Sequence, residues 1–174
     1  MSGPFDDGSI VEGLVLRDER PDDDTFLRAL YASTRIDELA PTGWSAAQAE
    51  AFLRMQFDLQ RTHYRKHFAD ARFLVVERDG RPIGRLYVNY TPEDVRVLDI
   101  ALLPDARGNG VGRRLLEDVI DRATRLGAPV TLHVAVGSPA RRLYERLGFR
   151  VVKEDPMNFF MERPLASPSS SDRA

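Results

Sequence analysis

The sequence predicts an α/β fold, with a mixed sheet of about seven strands flanked by four helices. Two features of the chain predict this architecture. Two β-rich runs enclose the turn Asp79-Gly80, and a largely apolar strand at Val95–Pro104 leads into an amphipathic helix. At 174 residues, the chain has the size of one compact domain with a hydrophobic core.

The first third of the chain is predicted to hold one strand and two helices. The run Leu14–Arg17 indicates a short strand. Asp22–Asp24 suits the positive end of a helix that runs to about Ser33. The pair Ser45-x-x-Gln48 has the pattern of a capping box, which predicts the start of a long helix that ends near His67.

The middle of the chain changes to strands. The segment Arg72–Val88 contains two β-rich runs around Asp79-Gly80, a pair that favours a tight hairpin turn. Val95–Pro104 is the apolar run expected of a strand covered on both faces. Asn109–Leu126 has apolar residues at helical spacing, and Gly127 is a suitable terminator.

The last third is predicted to hold one apolar strand, one short helix and two final strands. The first of these is Val130–Val136. Ser138 as the N-cap predicts a short helix over residues 139–147. The two final strands are expected near residues 149–153 and 158–162. The order β-α-α-β-β-β-α-β-α-β-β therefore predicts a mixed sheet instead of a regular alternation of strands and helices.

Composition excludes several classes of function. The 25 basic and 27 acidic residues nearly cancel and form no long run of one sign, so we expect no nucleic-acid partner. No apolar stretch approaches the roughly 20 residues that span a bilayer, and no signal peptide is evident, so we expect a cytoplasmic protein without membrane contact. The polar ends, residues 1–9 and 166–174, are expected to be disordered and to flank one domain at residues 10–165.

The chain has no cysteine, and its three histidines are His63, His67 and His133. Without cysteine, no acyl transfer through a cysteinyl enzyme intermediate is expected. His63 and His67 have the i, i+4 spacing of two metal ligands on one helical face, but no HExxH pattern or carboxylate pair accompanies them. We therefore predict no metal site and interpret the two side chains as part of a solvated helix face.

The turn after the strand Val95–Pro104 is the clearest candidate site. Its sequence RGNGVG (Arg107–Gly112) opens a helix, so flexible backbone, free N–H groups and the positive helix end meet there. Arg113 and Arg114 add positive charge. A dinucleotide fingerprint would need glycine at position 113, and no GxxxxGK[ST] loop is present. The turn therefore predicts a site for a pyrophosphate-bearing cofactor.

Two motifs together resemble the GCN5-related N-acetyltransferase (GNAT) family. The first is Arg107-x-x-Gly110-x-Gly112 after the strand IALLP, and the second is SPARRLYERLGF, one helix and one strand later. The resemblance covers about Val11–Pro164 and is specific because both motifs are present. It implies the family's fold, in which the fourth and fifth strands splay apart so that the pantetheine arm of acetyl-coenzyme A lies between them.

The resemblance also assigns residues to the cofactor. The fourth strand would meet the pantetheine arm, partly by backbone pairing, and Gly108 through Arg113, which we call the glycine turn, would surround the pyrophosphate. The implied cofactor-binding residues are Ile100, Ala101, Leu102, Arg107, Gly108, Asn109, Gly110, Val111, Gly112, Arg113 and Ser138. Many members carry an asparagine six or seven residues before the tyrosine of the second motif. Gly137 and Ser138 stand at those places here, which predicts a lower cofactor affinity than in relatives with asparagine.

Tyr144 is the first catalytic residue that the resemblance implies. It matches the tyrosine of the family's LYExLGF segment, whose hydroxyl is placed to protonate the departing coenzyme A thiolate. A phenol with a pKa of about 10 is protonated at neutral pH and able to donate. The alternative interpretation is that Tyr144 and Phe149 only pack the last helix on the sheet.

The substrate ammonium must also lose a proton before its nitrogen attacks the thioester. Asp99 is a candidate base because a carboxylate in the apolar strand VLDIALL needs a task or a partner. Its other interpretation is an ion pair with an arginine or a bond to a backbone amide. His133, in the strand LHVAV, is a second candidate and is otherwise interpreted as a satisfied core histidine. A water chain would need neither residue.

The activity implied is transfer of an acetyl group from acetyl-CoA to a primary amine of a small molecule or peptide, by direct attack in a ternary complex. The alternative is a non-catalytic acyl-CoA-binding sensor or interaction module on the same fold. In such proteins the last two strands often mediate dimer contacts, so a homodimer is a further expectation.

The acceptor pocket is expected between the two N-terminal helices and the strand edges. Candidate contacts there are Tyr31, Trp44, Gln56, His63, Tyr64, Tyr87 and Asn89, although aromatic side chains at helical spacing usually belong to a core. Acidic side chains such as Asp37, Glu38, Glu93 and Asp94 favour a cationic amine.

Overall fold

A computed structural model describes residues 9–165, in which eight strands form one sheet. The strands are β1 (Ser9–Val11), β2 (Leu14–Asp18), β3 (Arg72–Arg78), β4 (Arg81–Tyr90), β5 (Val95–Leu102), β6 (Val130–Ala135), β7 (Arg150–Glu154) and β8 (Asn158–Arg163). The helices are α1 (Asp24–Leu39), α2 (Ala46–His67), α3 (Val111–Leu126) and α4 (Arg141–Arg146).

The strand order in the sheet is β1-β2-β3-β4-β5-β6-β8-β7. All neighbours are antiparallel except β5 and β6, which run parallel. The mixed sheet and its four helices confirm the predicted fold class. The fourth and fifth predicted strands are β5 and β6.

Helices cover both faces of the sheet, as the alternation along β3 shows. Leu74 and Val76 pack in a core that includes residues of α3 and α4, and we refer to this side as the α3–α4 face. Val75 points the other way and packs with Leu27 of α1 and Phe57 of α2, on the α1–α2 face. Successive strand residues face opposite sides of a sheet, so this pattern fixes which helices lie on which face.

The eighth strand is β1, which the sequence analysis did not predict. It pairs with β2 through a turn at Glu12 and Gly13, both of which have positive φ, 45° and 82°. Glutamate is rarely found in such a turn, so the sequence carries no hairpin signal there. Ser9 begins this strand, and the rest of the two ends predicted to be disordered lies outside the described residues.

Two helix boundaries differ from the prediction. The first helix was expected to end near Ser33 but α1 runs to Leu39, because the Ser33 hydroxyl donates to the Leu30 carbonyl inside the helix and does not terminate it. Ser138 is not the N-cap of the last helix. Its hydroxyl accepts a hydrogen bond from the Ala140 amide in a turn, and α4 begins only at Arg141.

The homodimer contact through the last two strands stays a prediction. In the sheet, β7 is the outer strand beyond β8 and is largely exposed. An outer strand of this kind leaves one row of backbone groups for water or for another chain.

Gly84, on β4, is a position where a side chain would clash with the neighbouring strand β5. A Cβ there would lie 2.5 Å from the Ala101 carbonyl oxygen and 2.6 Å from Leu102 Cδ2 of β5. We expect Gly84→Ala to lower the free energy of unfolding by about 1–3 kcal/mol, the usual cost of overpacking. Urea unfolding measures it.

Gly112→Ala is the matched control for that measurement. Its Cβ would meet nothing closer than 3.9 Å, so it should leave the urea midpoint unchanged or raise it slightly, because alanine favours a helix. Equal midpoints for Gly84→Ala and the unmodified chain would contradict the close approach of β4 and β5.

Candidate functional site

A large cleft lies at the point where β5 and β6 separate. The two strands pair only at Val95–Val97 and then diverge, which confirms the predicted splay. The cleft has a volume of about 1350 Å³ and is lined by residues of α1, α2, β5, β6, α4 and the glycine turn. A volume of this size holds a ligand larger than a typical drug.

A β-bulge at Leu98 accompanies the separation. The register with β4 shifts there, because Val97 pairs with Val88 while Asp99 pairs with Tyr87. A one-residue shift exchanges the faces to which side chains point. Val95 and Val97 therefore pack on the α3–α4 face, whereas beyond the bulge Ile100 and Leu102 pack there. Asp99 is thereby directed to the α1–α2 face.

Beyond the bulge, the backbone of β5 presents hydrogen-bonding groups to the cleft. The Leu103 amide donates to the Ile83 carbonyl of β4, so alternation along the strand points the N–H and C=O groups of Ile100 and Leu102 away from β4. Those groups face the gap left by β6. Ile100, Ala101 and Leu102, predicted to meet the pantetheine arm, all line the cleft.

Two side chains fix β5 beside the gap. The Tyr64 hydroxyl of α2 donates to the Leu98 carbonyl at 3.0 Å, which satisfies the bulge residue. Arg107 Nε donates to the Leu102 carbonyl at 2.8 Å. Arg107, predicted to bind the cofactor, thus satisfies the carbonyl of the last residue of β5.

The glycine turn has the geometry of an anion site. Gly108 and Gly110 have φ of 77° and 74°, a left-handed conformation that glycine adopts without strain. Gly110 precedes α3 without a side-chain cap, so the first N–H groups of that helix stay open. Gly112 has neither positive φ nor a close neighbour, and nothing within the described chain requires a glycine there. The open space beside Gly112 fits the close approach of a ligand.

The charged residues of this turn differ in where they point. Arg113 lines the cleft, is two-thirds exposed and pairs with Glu117 at 2.8 Å. Arg114 turns away and donates to the Asn109 carbonyl. Asn109 does not line the cleft, unlike Gly108, Gly110, Val111 and Gly112.

Tyr144 lies on the opposite wall, in α4. It is 7% exposed, packs edge-on against Phe149 with ring centroids 5.9 Å apart, and lines the cleft. Tyr144 therefore has the packing contact that one interpretation predicts and the access to the cleft that a proton donor needs. Burial, with a smaller effect of the Asp99 charge, raises the pKa of Tyr144 to about 12. Its hydroxyl thus stays protonated throughout the physiological range.

Asp99 has the arginine partner that the sequence analysis weighed against a catalytic role. Its Oδ2 accepts a hydrogen bond from Arg85 Nη2 at 2.6 Å, and the same nitrogen donates to Gln60 Oε1 of α2. The Asp99 side chain is nevertheless 15% exposed and lines the cleft. The Asp99 charge contributes, after burial, to the raised pKa of Tyr144 on the other side of the gap between β5 and β6.

His133 is not the core histidine that the sequence favoured. It is exposed and lines the cleft, with its ring 4.8 Å from that of Phe160. The reason is the alternation along β6, where Leu132 and Val134 fill the α3–α4 core and His133 points to the opposite face. Desolvation, together with the nearby charge of Arg96, lowers the pKa of His133, so its imidazole is neutral at pH 7.

Gly137 and Ser138 occupy the place of the family asparagine and line the cleft. The Ser138 hydroxyl already accepts the Ala140 amide at 3.3 Å. A hydroxyl also carries a proton to donate, so Ser138 keeps one donor for a ligand.

Only two of the seven predicted acceptor contacts line the cleft, namely Tyr31 and Tyr64. Tyr87 is buried and donates to Glu19, and Trp44 packs against Phe52. His63 stacks on its neighbour His67, while Gln56 and Asn89 also lie outside the lining. Helical spacing alone does not reveal which side of a helix faces the gap.

The end of the cleft beside α1 and α2, where the acceptor is predicted to bind, contains residues that were not predicted as contacts. They are Thr34, Arg35, Gln60 and Arg85. Arg85 had a sequence signal, since a charged residue in the centre of a strand pattern indicates a buried partner or a site.

Two features bear on other classes of site. Within residues 9–165, no three His, Cys, Asp or Glu side chains are grouped as ligands of a metal ion. None of the helices in that range has the length and apolar character needed to cross a membrane.

Comparison with known proteins identifies the class. Residues 31–149 match the model of the acetyltransferase (GNAT) family. The IAA acetyltransferase of Azospirillum brasilense is 35% identical over 106 residues, which cover 55% of this chain and 69% of the relative. A mycothiol acetyltransferase of Brachybacterium faecium is 32% identical over 143 residues, 74% of this chain but 43% of the relative. The chain thus spans less than half the length of the second relative.

Solved structures share the fold. The PaiA N-acetyltransferase of Thermoplasma acidophilum in complex with coenzyme A matches with a TM-score of 0.64 and 20% identity, over 87% of this chain and 98% of that one. An acetyltransferase of Thermus thermophilus matches with a TM-score of 0.64 and 25% identity, over 89% and 99%. The family match and the relatives that are acetyltransferases define the class, an acyl-CoA-dependent N-acetyltransferase. The family match covers more than half of the chain, which therefore belongs to the GNAT family.

The glycine turn supports a direct binding test with Gly112→Ala. The added methyl group should displace the ligand from the open N–H groups of α3. Because a hydrogen bond to a charged group is worth about 1.5–3 kcal/mol, we expect coenzyme A to bind about 10- to 100-fold more weakly in a calorimetric titration.

Thr124→Ala is the control for that titration, because Thr124 is exposed near the far end of α3. It should leave the affinity unchanged. Unaltered affinity of Gly112→Ala would show that coenzyme A does not approach this turn.

Proposed function

We propose that this protein transfers an acetyl group from acetyl-CoA to a primary amine, by direct attack in a ternary complex. One observation carries the proposal. A single cleft joins the glycine turn, the free backbone edge of β5, Tyr144 and the residues of α1 and α2. Both reactants therefore have room on one continuous surface, and holding them together supplies much of the acceleration.

The cofactor half of the cleft fits acetyl-CoA by its chemistry. The uncapped start of α3 and the space at Gly112 suit the pyrophosphate, and the N–H and C=O groups of Ile100 with the N–H group of Leu102 suit the amides of the pantetheine arm. The fold is shared with a protein solved in complex with coenzyme A. Ser138 supplies one hydroxyl where many family members are expected to have asparagine, so the affinity should be lower than theirs.

The reaction is one transfer between two bound molecules. The amine nitrogen attacks the thioester carbonyl carbon, the new C–N bond forms, and the C–S bond breaks. The ammonium loses one proton to a base in the cleft before attack, and the nitrogen loses a second proton as the amide forms. The departing sulfur receives the proton of the Tyr144 hydroxyl, and the second proton from the nitrogen restores that hydroxyl. Backbone N–H groups of β5 polarise the carbonyl while charge develops on its oxygen.

Asp99 is the proposed base. The bulge at Leu98 directs it to the α1–α2 face, and Arg85 holds only one of its oxygens, so Oδ1 has no protein partner within residues 9–165. His133 is the second candidate because it lines the same face of the cleft and its lowered pKa keeps the imidazole neutral.

Tyr144→Phe tests the proposed acid. Loss of a general acid slows a reaction by about 10²–10⁴-fold, so kcat should fall by that factor while coenzyme A affinity is retained. Thiol release measures kcat, and calorimetry measures affinity. Tyr90→Phe, a change of a partly buried tyrosine outside the cleft lining, is the control and should keep kcat. Full activity of Tyr144→Phe would leave Tyr144 as a packing residue only.

The pH profile gives an independent check on Tyr144. Its pKa is raised to about 12, so the proton needed by the leaving sulfur stays in place from pH 7 to pH 10. At saturating substrate, kcat should show no loss centred near pH 10, where an ordinary phenol is half ionised. A loss of activity centred there in the original chain but not in Tyr144→Phe would contradict a buried acid.

Asp99→Asn and His133→Asn separate the two bases. We expect kcat to fall by about 10²–10⁴-fold in Asp99→Asn and by much less in His133→Asn, with thiol release as the measurement. Retained coenzyme A binding shows that each variant is folded. The opposite ranking would transfer the role to His133, and full activity of both variants would favour a water chain.

A further inference from the structure

Arg85 has more hydrogen-bonding capacity than its surroundings use. The residue is 3% exposed, and Nη2 donates to Asp99 Oδ2 and Gln60 Oε1. Its Nε is buried without a partner, and Nη1 makes no hydrogen bond within residues 9–165. A guanidinium has five N–H donors, and buried donors are almost always satisfied. The unused donors therefore call for a ligand.

The position of Arg85 places its guanidinium, and with it the Nη1 that is unpaired within the described chain, at the acceptor end of the cleft. Its guanidinium lies 6.0 Å from the centroid of the Tyr31 ring of α1, and that of Arg35 lies 5.7 Å from the same ring. Arg85 also lines the cleft beside Asp99, on the face opposite the α3–α4 core. An acceptor that reaches Asp99 therefore also reaches Arg85.

The charges at this end balance. Arg85 pairs with Asp99, and Arg35 pairs with Glu38 at 3.3 Å. A polyamine would meet as many positive as negative side chains here and gain little attraction. A molecule with one positive and one negative group fits better, because each of its charges finds a partner of opposite sign.

We propose that the acceptor is an α-amino acid whose carboxylate binds the free donors of Arg85 and whose amine lies at Asp99. This inference rests on the acetyl transfer proposed above. Arg85 Nη2 and Asp99 Oδ2 are 2.6 Å apart, so the two charged groups that they recognise must also be close neighbours. The amine and carboxylate of an α-amino acid, attached to one carbon, meet that condition.

The test uses acceptors that differ only in the carboxylate. Thiol release is measured with acetyl-CoA and a panel of α-amino acids, each compared with its α-carboxamide and its decarboxylated amine. A charge-assisted hydrogen bond accounts for about 10- to 100-fold, so kcat/KM for the preferred amino acid should exceed that for its carboxamide by that factor. Equal or faster reaction of the carboxamide, or a polyamine as the best acceptor, would overturn the proposal.

Variants locate the carboxylate. In Arg85→Gln the ratio of kcat/KM between acid and carboxamide should fall to near one, mainly through a higher KM for the acid, whereas Arg35→Gln should keep the ratio. Collapse of the ratio in Arg35→Gln alone would place the carboxylate elsewhere and overturn the role of Arg85. The ratio in the original chain needs no variant, so the proposal stays testable if Arg85→Gln does not fold.

The same assay distinguishes failure of the proposed acceptor class from failure of the proposed acetyl transfer. Release of thiol with amines that lack a carboxylate, and with amino acids no faster, would overturn only the acceptor class. No release with any amine, despite coenzyme A binding, would overturn the proposed transfer and favour a non-catalytic acyl-CoA sensor.

Discussion

The separation of β5 from β6 after three paired residues is the constraint on which the site depends. Strands in the middle of a sheet normally satisfy each other's backbone groups, and leaving such groups buried and unpaired costs free energy. Here Tyr64 and Arg107 satisfy the Leu98 and Leu102 carbonyls, while the groups around Ile100 face an open cleft. The fold thus keeps a strand edge available for a ligand without exposing it at the rim of the sheet.

The bulge at Leu98 determines which side chains lie on each face of the sheet beside this edge. It exchanges the faces of the following side chains, so that Ile100 and Leu102 join the core while Asp99 and its partner Arg85 lie on the α1–α2 face. Tyr144 approaches from the α3–α4 side. The proposed acid and the proposed base therefore reach the gap from opposite faces of one sheet.

The sequence predicted those parts of the fold that short-range chemistry specifies. The turn at Asp79-Gly80 and the capping box of Ser45 and Gln48 were both confirmed, since each residue type matches the backbone or the cap it must supply. The hairpin at Glu12-Gly13 was missed because glutamate gives no signal for positive φ.

The candidate site likewise contains residues that the sequence predicted and residues that it did not. The glycine turn and Tyr144 were predictable from motifs along the chain. Arg85 and Gln60 were not, because their meeting with Asp99 joins three elements that are distant in sequence. His133 was judged by the apolar strand around it, although alternation along β6 points its side chain away from the core.

The most direct test of this account is amide hydrogen exchange, measured residue by residue by NMR with and without coenzyme A. Exchange reports whether a backbone N–H has gained a partner. The account predicts that coenzyme A slows exchange at Ile100 or Leu102 and at the start of α3, around Val111–Arg113, while Val95–Val97 stay as they were. Binding without slower exchange at either place would contradict the splayed strand edge and the glycine turn as the cofactor site.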